Sequence, residues 1–576
     1  MKKIIFISIL GITILSSCKK DFLEKPQGSD TDVNAIFSTK QKSLAAIVQA
    51  YSMSLASGIG LVGWDGNRTN GLKGSTLSNI SGEINDVKFN WADGWMIQRS
   101  GMVADDGGLA RSSDGFVFNY RSIRQNYLVI ENIDKVADMS TVEKEQVKAE
   151  MNVLTAYRYE EMFKRYGGVP IVEKSLLATD DIKIPRATLE AMISHIVKLC
   201  DAAALVLPDS YPRTLNGRVT KGVALAIKAE ALMYAARPLF NTASPYLSVA
   251  GSNTFISFGN ADPSRWQKAA DAAKAVLDWS LANGYHIINT GAPMDDYGTA
   301  VATPNNAEIL LAYKTISGGY YNPHDQGGGS NGMSFTQLSQ YQKADGTEQV
   351  WAGTDELPYA DYTDKMNSME PRYKASAIAA GMDAWNNPND YYWSSDVVSN
   401  GSNWEGIAGT EACGRRAKYW YHASTRSWFE FPIYRLAEFY LDLAEAYNEL
   451  NDASHSLQYL NVTRQRAGLP DITETNQLAL RKIIQREWAV EFYEEGHRLF
   501  DVKHWKLADI GNGIIGGVKR GFQFTYVNGS SGRVAADYVS YSNQVVYTAF
   551  WNSSQYLEPF PIGEVNKGYL VQNPGY

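Results

Sequence analysis

Between residues 38 and 57 the apolar side chains fall at Leu44, Ile47, Val48, Tyr51 and Leu55, the spacing of one face of a helix. The same period returns over 120–136 (Ile123, Tyr127, Ile130, Ile133) and 142–163 (Val147, Met151, Leu154, Tyr157, Phe163). It returns again over 188–205, 221–237 and from Asp262, where Asp262 is the expected N-cap and Pro263 the first helical residue. Trp266, Ala269, Ala270, Ala273, Val276 and Leu277 continue that last stripe. Late in the chain it marks 434–450, 454–467 and a helix predicted over 476–500. Gly167, Gly168 and Pro170 end one helix pair, and Gly468 and Pro470 another. The tail, 510–576, reads as short strands and loops.

Helices paired through short turns predict a mainly α fold, a tetratricopeptide-like helix-pair superhelix of about four repeats. The strict repeat consensus is absent, so the expectation rests on shape. Two long stretches break the series, about 58–116 and 310–427, both dense in Gly, Asn, Tyr and Trp. Loops above ~15 residues usually carry function. With the tail at about 510–560 they form an expected irregular loop and short-strand subdomain. The helical repeats then occupy about 38–57, 120–310 and 430–505.

The first residues change the picture of where the chain resides. Lys2 and Lys3 precede an apolar run, Ile4 to Leu15, too short to span a bilayer. Leu15-Ser16-Ser17-Cys18 follows, a small-residue cleavage site with cysteine at the first mature position. The expectation is a signal peptide over 1–17, lipidation of Cys18, a polar tether over 18–34 and one domain over 35–576. Two or more acyl chains give stable anchoring.

Charge and composition narrow the function. With 54 basic and 62 acidic residues and no basic block, the chain is a poor nucleic-acid binder. Seven His and three Cys argue against a metal enzyme or a disulfide scaffold. Cys200 and Cys413 remain after lipidation, and an oxidising compartment leaves a disulfide between them open, while Cys200 lies in a helical stretch that suits a buried free thiol. The 34 Tyr and 14 Trp suggest recognition by ring faces. Sugars offer apolar C–H faces for rings and hydroxyl rims for Asp, Asn and Arg. Candidate ligand residues are Trp64, Asp65, Asn67 and Arg68 in one loop and Trp91 and Trp95 in the next. Further along come Tyr320, Tyr321, Trp351, Trp393 and Trp404, with Trp385, Tyr391 and Tyr392 close by.

Other constellations are set aside. Gly58-Ile59-Gly60-Leu61-Val62-Gly63 lacks the preceding strand of a dinucleotide site. Gly328-Gly329-Ser330-Asn331-Gly332 lacks the strand and helix of a nucleophile elbow. Glu438, Asp442 and Glu445 share a helix face, where packing ion pairs or solvated charge are the expected role rather than glycoside hydrolysis, and Arg435, Glu438, Arg464, Arg466 and Glu491 are candidates for ion pairs between packed helices. His497 and His504, near Asp501, are expected to pack a helix end beside Phe500 and Trp505. No metal and no cofactor is expected from these patterns.

Several segments resemble one family in order along the chain, the SusD/RagB outer-membrane glycan-binding lipoproteins of Bacteroidetes. They are Phe163 to Pro170 (FKRYGGVP), Gly217 to Gly222 through Arg237 to Asn241, Trp266 to Ala270 and Tyr434 to Glu438. Asn461 to Pro470, Glu491 to Lys506, and the ending Phe560-Pro561-Ile562 with Gln572 to Tyr576 complete the set. The resemblance implies the helix-pair fold and a non-catalytic, cell-surface protein that captures oligosaccharide. It also implies delivery to a SusC-like TonB-dependent outer-membrane transporter as partner. Structural calcium occurs in some relatives, with no ligand set assigned in this chain. Lys19-Lys20 departs from the acidic start seen in many surface lipoproteins. The alternative expectation is a scaffold or lid of a porter complex for peptides or other non-sugar nutrients.

Overall fold

In the computed structural model, residues 33–55, 76–85, 93–104, 115–315 apart from 178, 332–378, 413–420, 428–527 apart from 510 and 512, and 538–576 are described. The helical body follows the apolar period. Its helices are α1 (Lys40–Leu55), α2 (Phe116–Asn132), α3 (Thr141–Tyr166), α4 (Leu189–Ala204), α5 (Lys221–Ala236) and α6 (Ser264–Ala282). After a loop-rich stretch come α7 (Leu436–Glu449), α8 (Ala453–Arg466), α9 (Gln477–Glu491) and α10 (Arg498–His504).

From α1 to α8 each helix packs against the next in sequence, and α9 packs back on α7. That serial contact is what a solenoid of helix pairs requires. One continuous hydrophobic core runs through the stack, from Ile47 through Leu154, Ile227, Val276 and Phe439 to Trp488. Caps mark the starts. Ser140 and Glu143 form a reciprocal capping box at α3, and Thr188 caps α4.

The structure corrects several local expectations. Pro263, rather than Asp262, holds the N-cap position of α6, while the Asp262 carboxylate accepts from the Ser264 amide at 2.8 Å. The helix predicted over 476–500 breaks at Glu491, because Glu494 (φ 59°) and Gly496 (φ 86°) turn the chain left-handed before α10. Gly167 does need its positive φ of 76°, but Gly168 is there for space. A Cβ on it would sit 1.9 Å from the Ala187 carbonyl oxygen.

Two sheets carry the rest of the frame. β2 (Ile309–Thr315) and β7 (Phe429–Arg435) pair antiparallel across more than a hundred residues of chain and lead into α7. In the tail, β8 (Gly517–Tyr526) and β9 (Tyr538–Ala549) form an antiparallel pair far longer than the short strands expected, with β4 (Leu357–Pro358) beside β9. Phe522, Phe524, Tyr538 and Tyr541 of that sheet pack with Tyr359, Tyr362 and Met333 into a second core. Cys200 and Cys413 are both free and buried. Among the described residues no helix is long and apolar enough to cross a membrane.

Candidate functional site

A third, very small sheet organises the loop side of the molecule. Its strands are β1 (Ile84–Asn85), β3 (Gly332–Met333), β5 (Ala377–Ile378) and β6 (Arg415–Arg416), in the order β1-β3-β6-β5. In register, Asn85 faces Gly332, Gly332 faces Arg415, and Arg415 faces Ile378. These residues flank three segments that lie outside the described residues: 86–92 after Asn85, 316–331 before Gly332, and 379–412 between Ile378 and Arg415. With strands about 4.8 Å apart, the flanks of these three aromatic-bearing segments fall within about 15 Å of one another.

The sheet is fixed to the helical body by charge. Glu83, one residue before β1, accepts from the Glu494 amide at 2.7 Å and from Ser81 Oγ at 2.8 Å. Burial pushes its carboxyl up to about 7. Arg416 of β6 pairs with Glu494 at 2.8 Å. Lys418 donates to the Tyr493 carbonyl at 2.7 Å and to Glu495 at 2.6 Å. Apart from Ser81, these partners lie in the turn between α9 and α10. Glu491, just before it, accepts from Arg435 at 2.6 Å and Arg372 at 3.1 Å, and also pairs with Arg466. Gly82 makes the approach possible: φ is 79°, and a Cβ there would meet the Ile514 carbonyl oxygen at 2.4 Å.

Of the residues singled out from sequence, Trp351 is the one whose side chain is described. It packs half-buried on the second core, its ring 5.5 Å from Phe522, with its indole N–H buried and unpartnered among the described residues. The adjoining segment is tied to β9 through the Asn543 amide and the Gly353 carbonyl, 2.9 Å. Trp95 lies on a short helix, Asp93–Ser100, which follows the 86–92 loop. Cys18, Trp64, Asp65, Asn67, Arg68, Trp91, Tyr320, Tyr321, Trp393 and Trp404 lie outside the described residues, as do Trp385, Tyr391 and Tyr392. The helix Thr76–Ile80, next in the chain after the segment of Trp64 to Arg68, packs on β1.

Sequence reasoning missed the small sheet itself and Tyr373, which donates to the Cys413 carbonyl beside β6 at 3.0 Å. It also missed the tyrosines of the neighbouring β9: Tyr541 donates to Asp361 at 2.6 Å, and Arg99 lies over the Tyr547 ring at 5.3 Å. Two-residue strands leave no periodic signal, though the Phe522/Phe524 alternation was readable.

The larger cavities of the described residues open elsewhere. One of about 290 Å³ between α2 and residues 170–184 is lined mainly by apolar side chains such as Phe116, Tyr120, Ile182 and Ile184, with Arg121, Arg124, Lys174 and Glu564 at it as well. Another of about 460 Å³ is lined by Trp266, Trp505, Asn448 and Arg481. Both indoles there are over nine-tenths buried, leaving no ring face for a sugar. The carboxylates of Glu438, Asp442 and Glu445 are buried inside the helix stack, out of reach of a polysaccharide. Glu445 pairs with Arg237 at 2.8 Å, whereas Glu438 forms no ion pair among the described residues, contrary to expectation.

A helix-pair solenoid carrying a small four-stranded sheet on its C-terminal turn defines the class of fold. The comparisons name the family. The profile described as SusD family matches residues 282–576, and that described as starch-binding associating with outer membrane matches 21–231. The chain belongs to the SusD family. It is similar to SusD-like protein P25 of Formosa agariphila, 22% identical over 432 residues, 69% of this chain and 70% of that one. Its fold is similar to a SusD-like protein from Bacteroides fragilis (TM-score 0.73, 21% identity, 96% of this chain and 99% of that one). It is also similar to surface glycan-binding protein A from Bacteroides uniformis (TM-score 0.58, 16% identity, 93% and 99%).

Proposed function

We propose that this chain is a non-catalytic glycan-binding protein held at the outer membrane by lipid on Cys18. It captures oligosaccharide and hands it to a SusC-like TonB-dependent transporter. The observation that carries the reading is the register row Asn85, Gly332, Arg415 and Ile378, which roots the aromatic loops side by side. Rings from separate loops so rooted can flank one extended saccharide. Membership of a family described as starch-binding and associated with the outer membrane supports it. Contacts of this kind, many and individually weak, suit micromolar affinity and fast release.

The test is calorimetric titration of mature protein against a glycan panel, repeated with W64A, W91A and W351A. Loss of a stacked ring costs on the order of 1–2 kcal/mol, a five- to thirty-fold weaker Kd. Affinity unchanged in all three substitutions removes the site. Co-purification with a transporter but no saccharide affinity supports the scaffold alternative instead.

A further inference from the structure

Inside the helix stack the acidic groups outnumber their partners. Glu160 has both carboxylate oxygens without a hydrogen bond among the described residues, and Glu438 Oε2 and Asp442 Oδ2 are likewise unpartnered. Lys164 is the shared cation. It sits 2.6 Å from Glu161, 3.3 Å from Glu230 and 3.4 Å from Glu160. Arg237 is taken by Glu445 and Asp501 at 2.8 and 2.6 Å. A buried carboxylate without a partner is costly, and an absent cation is one explanation for it.

Three donors converge at this place. An oxygen of Glu230 on α5, an oxygen of Glu438 on α7 and a ring nitrogen of His497 in the turn before α10 all lie within 4.8 Å of one another. Glu438 is 1% exposed. His497 is held by Phe492 and Trp488, ring centroids 4.7 and 5.7 Å away. A cavity of about 30 Å³, the size of one water, is lined by Glu230 and His497.

We propose that Glu230, Glu438 and His497 bind one divalent first-row transition cation of the Zn²⁺ class, with water as a further ligand, clasping α5, α7 and the turn before α10. Imidazole with two carboxylates is a Zn²⁺-compatible donor set. Tetrahedral bonds of about 2.0–2.1 Å place ligand atoms about 3.4 Å apart, so side-chain rotations of about 1 Å close the set on the ion. Tyr434 already orients Glu230 by donating to its Oε2 at 2.6 Å, the outer contact that metal-binding carboxylates use. Lys164 gives up part of its contact with Glu230 and keeps Glu161 and Glu160. The partly exposed His497 side provides the entry path.

The experiment uses the full mature protein, stripped with chelator, dialysed against Zn²⁺ and assayed for bound metal. One ion per chain is expected, and fewer than about 0.2 per chain overturns the proposal. Co²⁺ in its place reports ligand-field bands, and E438Q and H497Q each weaken binding by about 100-fold while H455Q, at the exposed His455–Asp452 pair, does not. Wild-type affinity in both E438Q and H497Q overturns it. Because either variant risks misfolding, anomalous scattering at the zinc edge from wild-type crystals decides independently. A peak bonded to Glu230, Glu438 and His497 supports the site, and its absence or location elsewhere refutes it.

Discussion

Replacing Glu491 by glutamine removes one charge from a closed ion cluster without changing its shape. Glu308, Glu370, Glu487, Glu491 and Glu495 are interleaved with Arg372, Arg435, Arg464, Arg466 and Lys418, five acids against five bases, all essentially buried. Glu491 touches three guanidiniums at once, and the nearby arginines hold its carboxyl well below the usual carboxylate range against the opposing effect of burial. E491Q leaves one uncompensated buried positive charge and turns an amide N–H₂ toward an arginine. Breaking a buried pair in this way costs about 3–5 kcal/mol. With an unfolding entropy of about 2.1 cal/mol/K per residue over 576 residues, that is a fall in Tm of about 3–4 °C by scanning calorimetry. The sign with pH follows from the lowered pKa. The stabilisation is fully present above the unfolded value near 4.5 and is lost as pH falls toward the folded one, so the deficit is constant between pH 6 and 8 and shrinks in acid. The control is D278N at the exposed Lys274–Asp278 pair, which shifts Tm by less than about 0.5 °C. A Tm within 1 °C of wild type for E491Q, with an unchanged urea midpoint, refutes the reasoning.

Gly222→Ala puts a Cβ 2.0 Å from the Trp279 ring, which Asp209 holds at 2.6 Å, and is expected to lower the urea midpoint by the equivalent of about 1–3 kcal/mol while leaving glycan affinity of the folded protein unchanged. Glu83→Gln removes a carboxyl raised from 4.5 to about 7, whose stability contribution is full below pH 4.5 and lost as pH rises through 7. Relative to E83Q, wild type therefore loses roughly 3 kcal/mol between pH 4.5 and 8, and parallel stability curves contradict this. Cys200 and Cys413 are expected to be silent to Ellman's reagent in the native protein and to give two thiols on denaturation, burial having pushed both thiols up. Zero thiols after denaturation means a disulfide.

The helical body was legible because its period is local. Ile123, Tyr127 and Ile133 are buried as the stripe requires, and the boundaries of α3, α4 and α5 fall within a few residues of those expected. The errors have separate causes. The break after Glu491 depends on a left-handed Glu494, which propensity does not announce in a glutamate. The β2–β7 pairing joins residues more than a hundred apart, and no local pattern sets such a register. Most candidate aromatics lie outside the described residues, and the register that sets the flanks of their segments side by side is in Asn85, Gly332, Arg415 and Ile378, none of which carries a recognisable binding signal.

That division has a mechanical consequence. The loop roots touch the helical body through few residues, and Glu83, Arg416 and Lys418 all reach the single turn between α9 and α10. The same turn supplies Glu495 to Arg435, at the junction of β7 and α7. A perturbation of this turn acts on the loop sheet and on the helix stack together, whereas a substitution within a loop acts on neither. Stability and ligand preference are thereby carried by different residues. Substitutions at Trp64 or Trp91 should change affinity without moving Tm. Substitutions at Glu494 should move both, and a Glu494→Gln variant with lowered Tm but wild-type glycan affinity would show that the roots hold their places without the turn.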